Sequence, residues 1–595
     1  MREHSDPQFS SPVFVGREPE AVELRQGLAN VLAGTGRLFL ISGEPGIGKT
    51  RLAEELGKEA RGRGARVLWG RCWDGEGAPA FWPWTQIFRA AVGNTNADRF
   101  DLLTDTDATH VVSLVPGLAS SRGSSALPPL RVLASAEPAE ARFRLFDSAA
   151  RLLKEIANTA PLVIVLDDLQ QADQSSLLML RFIARELKEA SILILGTFRE
   201  AEVRASPALS RLISEIAGEG RQIVLGGFSQ SELAAFVEQR LGSAPGASLL
   251  AALMQSTAGN PLFVDSVLRM LIAERKELNG ELLSSRDFKV PDAVAETVRR
   301  RLSFLSESAR AILSIGAVCG QEFEFDCLRE VSGITGEALI TALDEALRDG
   351  LLYSVLAGNL RYRFAHNLIR ATIYGDVPAA KRIELHWQIA QTLERIHQAD
   401  LTAHSAEIAH HYLGSVAVGS PAKAINYSIQ AGEAALEVSA YEEARHQWQA
   451  AVALMERYET NSSRRIDLLY KLGKLTYEAI DFAEGIACFE HALNLCRQRS
   501  DNRRNAILLL ALGRAKTRWT PQANIGNGLN HYRAAEALID RNQLDLLGEL
   551  YHGRTLADFD AMLIDEGLDV SAQALKIYQK VGDKCLWTVI AAHRA

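Results

Sequence analysis

The sequence has no long apolar run, no paired cysteines and no excess of positive charge, and each absence removes a class of function. Its longest apolar runs, PLVIVL at 161–166 and SILILG at 191–196, are only strand-length. A membrane helix needs roughly eighteen residues. The six cysteines are Cys72, Cys319, Cys327, Cys488, Cys496 and Cys585, with no CxxC pair among them. That spacing suggests neither a zinc finger nor a dithiol redox motif. They read instead as small core residues of a reduced, cytosolic protein. The net charge of −8 is the wrong sign for the basic footprint of a nucleic-acid-binding domain. The first twelve residues contain no apolar h-region, so they are not a signal peptide. A cytoplasmic protein with no membrane partner is expected.

What is present is an ordinary globular composition, 47% hydrophobic and 23% charged over 595 residues. That length is too great for one core and implies several domains. Five short apolar runs punctuate the first part: RLFLISG (37–43), ARVLWG (65–70), PLVIVLDD (161–168), SILILGTF (191–198) and RQIVLGGF (221–228). Strands apolar on both faces, separated by helical stretches, indicate a parallel sheet built by βαβ crossovers. Such a doubly wound sheet binds ligands at the carboxyl ends of its strands.

The first run ends in Gly43-Glu-Pro45-Gly46-Ile47-Gly48-Lys49-Thr50 and leads through Arg51 into a helical stretch. This is GxxxxGK(S/T) in the strand–loop–helix context that a P-loop requires. The glycines turn successive backbone N–H groups inward, and the helix N-terminus adds partial positive charge, so the loop cradles phosphates. Lys49 is expected to reach the β and γ phosphates of ATP and the Thr50 hydroxyl to ligate Mg2+. The third run ends in Asp167-Asp168. Asp167 is placed to complete the magnesium shell, and Asp168 to polarise an attacking water or simply to cap the next helix. After the fourth run, Arg199 is a candidate γ-phosphate sensor or a surface arginine.

Phe14-Val15-Gly16-Arg17-Glu18 ahead of the first strand, together with Thr257-Ala-Gly259-Asn260-Pro261 further on, resembles the signal-transduction ATPases with numerous domains. These are AAA-related proteins with an origin-recognition-complex-like ATPase domain. They include MalT-type and large LuxR-type regulators and the ATPase region of soluble adenylyl cyclases. The resemblance covers residues 13 to about 375. It implies adenine contacts from the backbone at Val15, Gly16 and Arg17, and Pro261 of a helical lid packing on the base. The Trp-rich stretch Pro79–Trp84 also looks familial, with buried packing as its expected role. Residues 73–160, between the second and third runs, number 88, far more than one crossover helix needs. Within them, SRGSSALPP (121–129) reads as a loop.

From 291 the pattern changes to helices followed by the hairpin LLYSV–LAGN–LRYRF, which reads as a winged helix. Its third helix, Gly336 to Gly350, carries Glu337, Asp344, Glu345 and Asp349 against the single base Arg348. Phosphate would repel such a helix, which argues against direct DNA binding. The resemblance implies instead that the winged helix closes over the nucleotide, with His366 touching the bound diphosphate. A structural role capping the following helix is the alternative for His366.

In the C-terminal third, Gly432, Gly473, Gly513 and Gly553 recur at spacings of 41, 40 and 40. The triplets Ala444/Trp448/Ala451, Gly485/Phe489/Ala492 and Gly528/Tyr532/Ala535 follow in the second helix of each unit, and Gly567/Ser571/Ala574 lacks the aromatic. This is tetratricopeptide logic with a long period. The array is expected to bind a protein or peptide partner, and to be incomplete at its C-terminal end.

The expected architecture is therefore multidomain α/β plus α: a P-loop doubly wound parallel sheet with a helical lid, a winged helix and a TPR-like α-solenoid. The expected boundaries are a tail (1–12), ATPase core (13–228), lid (229–290), winged helix (291–375), helical connector (376–415) and repeats (416–595). The expected mechanism is a switch in which ADP holds the lid and winged helix closed and signal binding lets ATP replace it, with slow hydrolysis because no arginine finger in trans is evident. Nucleotide-dependent self-association could follow. The competing classes are a LuxR-type regulator with a separate DNA-binding output, a cyclase-related regulator, and a TPR scaffold with an inert nucleotide site.

Overall fold

A computed structural model describes residues 14–72, 77–93, 114, 138–277, 294–357, 359–459, 462–499, 501–518, 524–582 and 584–594. The expected tail at 1–12 and the loop at 121–129 lie outside the described residues. The chain divides into two compact units, residues 1–127 with 143–420, and residues 128–142 with 421–595.

In the first unit the five apolar runs become β1 (Arg37–Gly43), β2 (Arg66–Arg71), β3 (Leu162–Asp167), β4 (Ile192–Phe198) and β5 (Arg221–Leu225). They form a single sheet in the order β2-β3-β4-β1-β5, every pair parallel. Strands β3 and β4 are buried along their whole length, which is why they read as unbroken apolar runs and not as alternation. Helix α1 (Glu18–Leu32) opens with a proline and two acids in its first turn, a good match to the exposed amides there. Helix α2 (Lys49–Gly62) leaves the P-loop and buries Leu52, Ala53 and Leu56 against the sheet.

The long β2–β3 connection contains α3 (Trp82–Gly93) and the helix Pro138–Thr159. Phe81 and Trp84 are fully buried, and Trp84 Nε1 donates to the Ser176 carbonyl at 3.0 Å. The expectation of buried packing holds for these two residues.

Three helices (Gln230–Leu241, Ala247–Thr257, Pro261–Glu277) enclose a small core of Phe228, Leu233, Val237, Leu253, Val264, Val267 and Leu268. Helices Val294–Ser303, Glu307–Cys319, Phe325–Ser332 and Gly336–Arg348 follow. They pack with the antiparallel strands β6 (Glu322–Glu324), β7 (Leu352–Ala357) and β8 (Asn359–Phe364), in the order β6-β8-β7. The hairpin β7–β8 falls where the sequence pattern places it. Strand β6 is three residues long, too short to leave a period-2 pattern. Helices Ala379–Ile396 and Ser405–Gly414 close the unit.

The second unit stacks helix pairs: Pro421–Glu437 with Tyr441–Tyr458, Ser463–Ala479 with Phe482–Arg497, Asn502–Thr517 with Ile525–Glu536, and Leu544–Asp560 with Ile564–Val581. The recurring glycines are explained by what a Cβ there would strike. At Gly432 it would meet Trp448 at 2.3 Å, at Gly473 Phe489 at 2.8 Å, and at Gly513 Tyr532 at 2.8 Å. Each aromatic therefore fills the notch of its own pair's glycine, not simply the gap to the next pair. In the fourth pair the aromatic is missing, and Gly553 receives the Tyr532 hydroxyl of the preceding pair at 2.4 Å from its virtual Cβ.

Candidate nucleotide site

At the carboxyl end of β1 the backbone turns through Gly46 (φ +78°) and Gly48 (φ +102°), conformations that favour glycine. Gly48 caps α2 without any side-chain hydrogen bond, leaving the first-turn amides to a ligand. Lys49 is buried, and its Nζ donates to the Gly43 and Glu44 carbonyls, both at 2.9 Å. Burial pushes its pKa down to about 8; Arg199 adds to this, while Asp168 and Asp167 oppose it. The lysine is therefore still a cation at neutral pH, and its charge is poorly hydrated.

Asp167, at the end of β3, is buried. Thr50 Oγ1 donates to it at 2.9 Å and Thr197 Oγ1 at 2.6 Å. Burial raises its pKa and Asp168 adds to the shift; Thr197, Arg71 and Thr50 oppose it. A buried carboxylate beside a threonine hydroxyl at a helix N-terminus suits a hard divalent cation, so Thr50 and Asp167 fit the expected magnesium role. Asp168 sits in the left-handed region (φ +61°). Its N–H donates to Thr197 Oγ1 at 2.9 Å. Its Oδ1 accepts from Gln170 Nε2 at 2.7 Å and lies 3.4 Å from Arg199 Nε. Arg199 is buried, not a surface residue, and is also paired with Glu202 at 2.7 Å.

One open cavity of about 1310 Å3 runs past these groups. Val15, Arg17, Gly46, Ile47, Gly48, Lys49, Thr50, Arg51, Asp167, Asp168, Arg199, Pro261 and His366 all line it. Gly16, Gly43 and Pro45 do not, and act behind the surface. A Cβ on Gly16 would lie 2.3 Å from the Glu232 carboxylate, and the Pro45 carbonyl accepts from Asn260 Nδ2 at 2.9 Å.

Arg17 has its backbone groups engaged within the protein. Its N–H is taken by Glu232 at 2.9 Å, and its carbonyl by Ala21 within α1. The side chain has a role of its own. The guanidinium donates to the Ile47 and Gly226 carbonyls at 3.0 and 2.6 Å and lies over the Phe228 ring, bracing the P-loop from behind.

His366 reaches the cavity from the end of β8. It is also the cap of helix Asn367–Asp376, with Nδ1 accepting from the Leu368 N–H at 3.1 Å. The two roles weighed for it are thus compatible, because the cap occupies Nδ1 and leaves Nε2. Burial lowers its pKa to about 4; Arg199 and Lys49 add to this, and Asp168 opposes it. Those three partners locate the ring beside the P-loop.

Residues that pattern reasoning passed over also line the cavity. Arg71 at the end of β2 and Arg363 on β8 both face it, and both act on the charge of Asp167 or feel it. Asn260 ties the lid to the P-loop, and Leu262 N donates to the Gly46 carbonyl at 3.3 Å. The signal for Asn260 was its place inside Gly259-Asn260-Pro261. Arg71 and Arg363 belong to no local motif.

Residues 13–195 match the family model described as an AAA ATPase domain. This region is an AAA ATPase domain. Such a domain binds nucleotide, usually with magnesium, and the resemblance drawn from the motifs holds at that level. A curated relative, an uncharacterized protein of Rhizobium meliloti (strain 1021), is 24% identical over 507 residues, 82% of this chain and 47% of the relative. The chain thus spans about half the length of that relative. Among solved structures, a signal-transduction ATPase with numerous domains and a tetratricopeptide repeat sensor, from Pyrococcus horikoshii, aligns over 99% of this chain and 86% of its own. Its identity is 16% and its TM-score 0.37. A Walker-type ATPase of Pyrococcus abyssi aligns over 60% of this chain and 96% of its own, at 14% identity and TM-score 0.28. Around the ATPase domain, no helix among the described residues is long and apolar enough to cross a membrane.

Proposed function

We propose that the chain is a nucleotide-controlled signalling switch in which ATP or ADP, held by the AAA ATPase domain, governs closure of the lid and the helix-and-hairpin region. The observation that carries this reading is convergence. Lys49, Asp168, Arg199 and His366 come from four separate segments and line one cavity. The helix-and-hairpin region, read as a winged helix, supplies His366, and the lid supplies Pro261.

Bound Mg2+ would supply charge neutralisation at the terminal phosphates, with Thr50 and Asp167 as its protein ligands. The chain's own residues do the rest. The P-loop amides and Lys49 bind the phosphates, Val15 and Pro261 flank the base, and His366 offers a neutral Nε2 at the phosphate end. Asp168 shares one carboxylate oxygen between Gln170 and Arg199, which weakens it as a base and supports slow hydrolysis. A slow reaction suits a timer more than a metabolic catalyst. We further propose that ADP favours the closed form and that a protein or peptide on the TPR-like repeats shifts it. Direct DNA binding is not part of this reading, because the helix Gly336–Arg348 remains acidic.

The test is the nucleotide content of the purified, denatured chain, measured by chromatography beside Lys49→Ala. Close to one ADP per chain, absent in the variant, is the expected result. No retained nucleotide, and no binding of added ATP or ADP, would leave a repeat scaffold with an inert site.

A further inference from the structure

The connector that follows the helix-and-hairpin region contains a cluster the nucleotide site does not use. His386, on helix Ala379–Ile396, meets His410 and His411, adjacent on helix Ser405–Gly414. Their ring centroids are separated by 5.0 to 5.6 Å, and one nitrogen from each ring lies within 4.8 Å of the other two. His386 and His411 are buried, at 5% and 1% exposure, and His410 is half-buried.

We propose that His386, His410 and His411 form a binding site for a divalent transition-metal ion, Zn2+ first among them, that clamps the two connector helices together. Nδ1 of His386 and Nδ1 of His411 are 2.9 Å apart. Two nitrogens each about 2.1 Å from a common zinc would be about 3.4 Å apart in a tetrahedral site. The buried pair is therefore within a few tenths of an ångström of chelating separation. His410, the accessible member, has to swing inward by roughly 1 Å to complete three ligands at that spacing. Its partial exposure also provides the way in.

Both buried rings are held neutral, the form that coordinates metal. Burial and then His410 push His386 down to about 4, and burial followed by His410 and His386 pushes His411 well below its ordinary value. Without metal, the Nδ1–Nδ1 contact needs a proton on one nitrogen; with metal, both protons belong on Nε2. For His386 that Nε2 faces the Tyr374 hydroxyl at 3.4 Å, an oxygen placed to accept its proton as an outer-shell acceptor would.

The surroundings select the ion. The cluster itself contains no carboxylate, which disfavours the oxygen-seeking Ca2+ and Mg2+. The nearby cations are Arg370 and Arg382, which act on His386 electrostatically. They are turned to carbonyls, Arg370 Nε to Ala317 at 3.1 Å and Arg382 to Tyr374 at 3.3 Å. Their charge penalises any cation, so only an ion with strong affinity for imidazole overcomes it.

The test uses the full chain, stripped with a chelator, dialysed and titrated with Zn2+ against a chromophoric competitor. Bound metal is counted by elemental analysis after gel filtration. One tight equivalent is expected in the unaltered chain. His410→Gln, at a half-buried position that tolerates a polar side chain, should weaken it by at least about 10-fold. His531→Gln, in the repeats, should leave it unchanged. Absence of a retained equivalent, or equal retention by His410→Gln, would overturn the proposal. Co2+ in place of Zn2+ gives a second readout, a visible absorption band present in the unaltered chain and lost in His410→Gln. Neither measurement depends on nucleotide.

Discussion

The nucleotide cleft and the helical repeats are stabilised in opposite ways. The cleft buries charge: Lys49, Asp167, Arg199 and Arg17 are all nearly inaccessible, each held by specific partners, and Asp168 is bent into a left-handed backbone. The repeats bury aromatic rings against glycine notches, and several of the ion pairs that link one repeat to the next lie on the surface. Glu433–Lys471, Asp467–Arg504 and Glu549–Arg514 run from one repeat to the next on exposed side chains. Buried charge is expensive even when paired, so the cleft makes sense as a place completed by a ligand. Exposed pairs contribute little, and the apolar notches carry the array.

That contrast can be broken from either side. The largest expected effect on folding is in the repeats. Trp448→Ala removes a buried ring packed on Gly432, and a loss of about 3–5 kcal/mol in denaturant unfolding is expected, with nucleotide content per folded chain unchanged. Next comes Lys49→Ala. It should weaken ATP and ADP binding roughly 100-fold, about 3 kcal/mol, as measured by calorimetry, while barely lowering stability. Gly432→Ala places a Cβ 2.3 Å from the Trp448 ring. Overpacking of this kind costs about 1–3 kcal/mol, read as a lower melting temperature.

Acid gives a graded test of the first unit. The pKa values of His366 and His386 are lowered to about 4 from 6.5. The folded chain then binds fewer protons than the unfolded one, and stability should fall as pH drops from about 6.5 towards about 4. His366→Asn should flatten part of that slope in a melting-temperature series. The smallest effect belongs to Arg504→Ala, which removes an exposed pair with Asp467 and Asp501. It should cost no more than about 1 kcal/mol.

Much of this was legible in the sequence, and the reasons are physical. A strand buried on both faces must be apolar throughout, so β1, β3 and β4 announced themselves. A P-loop must place glycine, lysine and threonine at fixed offsets, so Gly43 to Thr50 could be assigned directly. The glycine–aromatic period of the repeats was equally visible, although which ring filled which notch was not. Arg71 and Arg363 were not singled out, because they join the cavity only through tertiary packing of β2 and β8. Arg17 illustrates the same limit: its motif was recognised, but not the hydrogen bonds of its side chain to the Ile47 and Gly226 carbonyls. Strand β6, three residues long, left no period to read.

The most direct test of the central claim, that distant segments act together on one nucleotide, is ADP affinity by calorimetry in the unaltered chain and in His366→Ala. Lys49-dependent binding that weakens roughly 10- to 100-fold in His366→Ala is expected, about the strength of one hydrogen bond at a charged group. Identical affinity in the two proteins would mean that the helix-and-hairpin region does not touch the nucleotide, and would contradict the account.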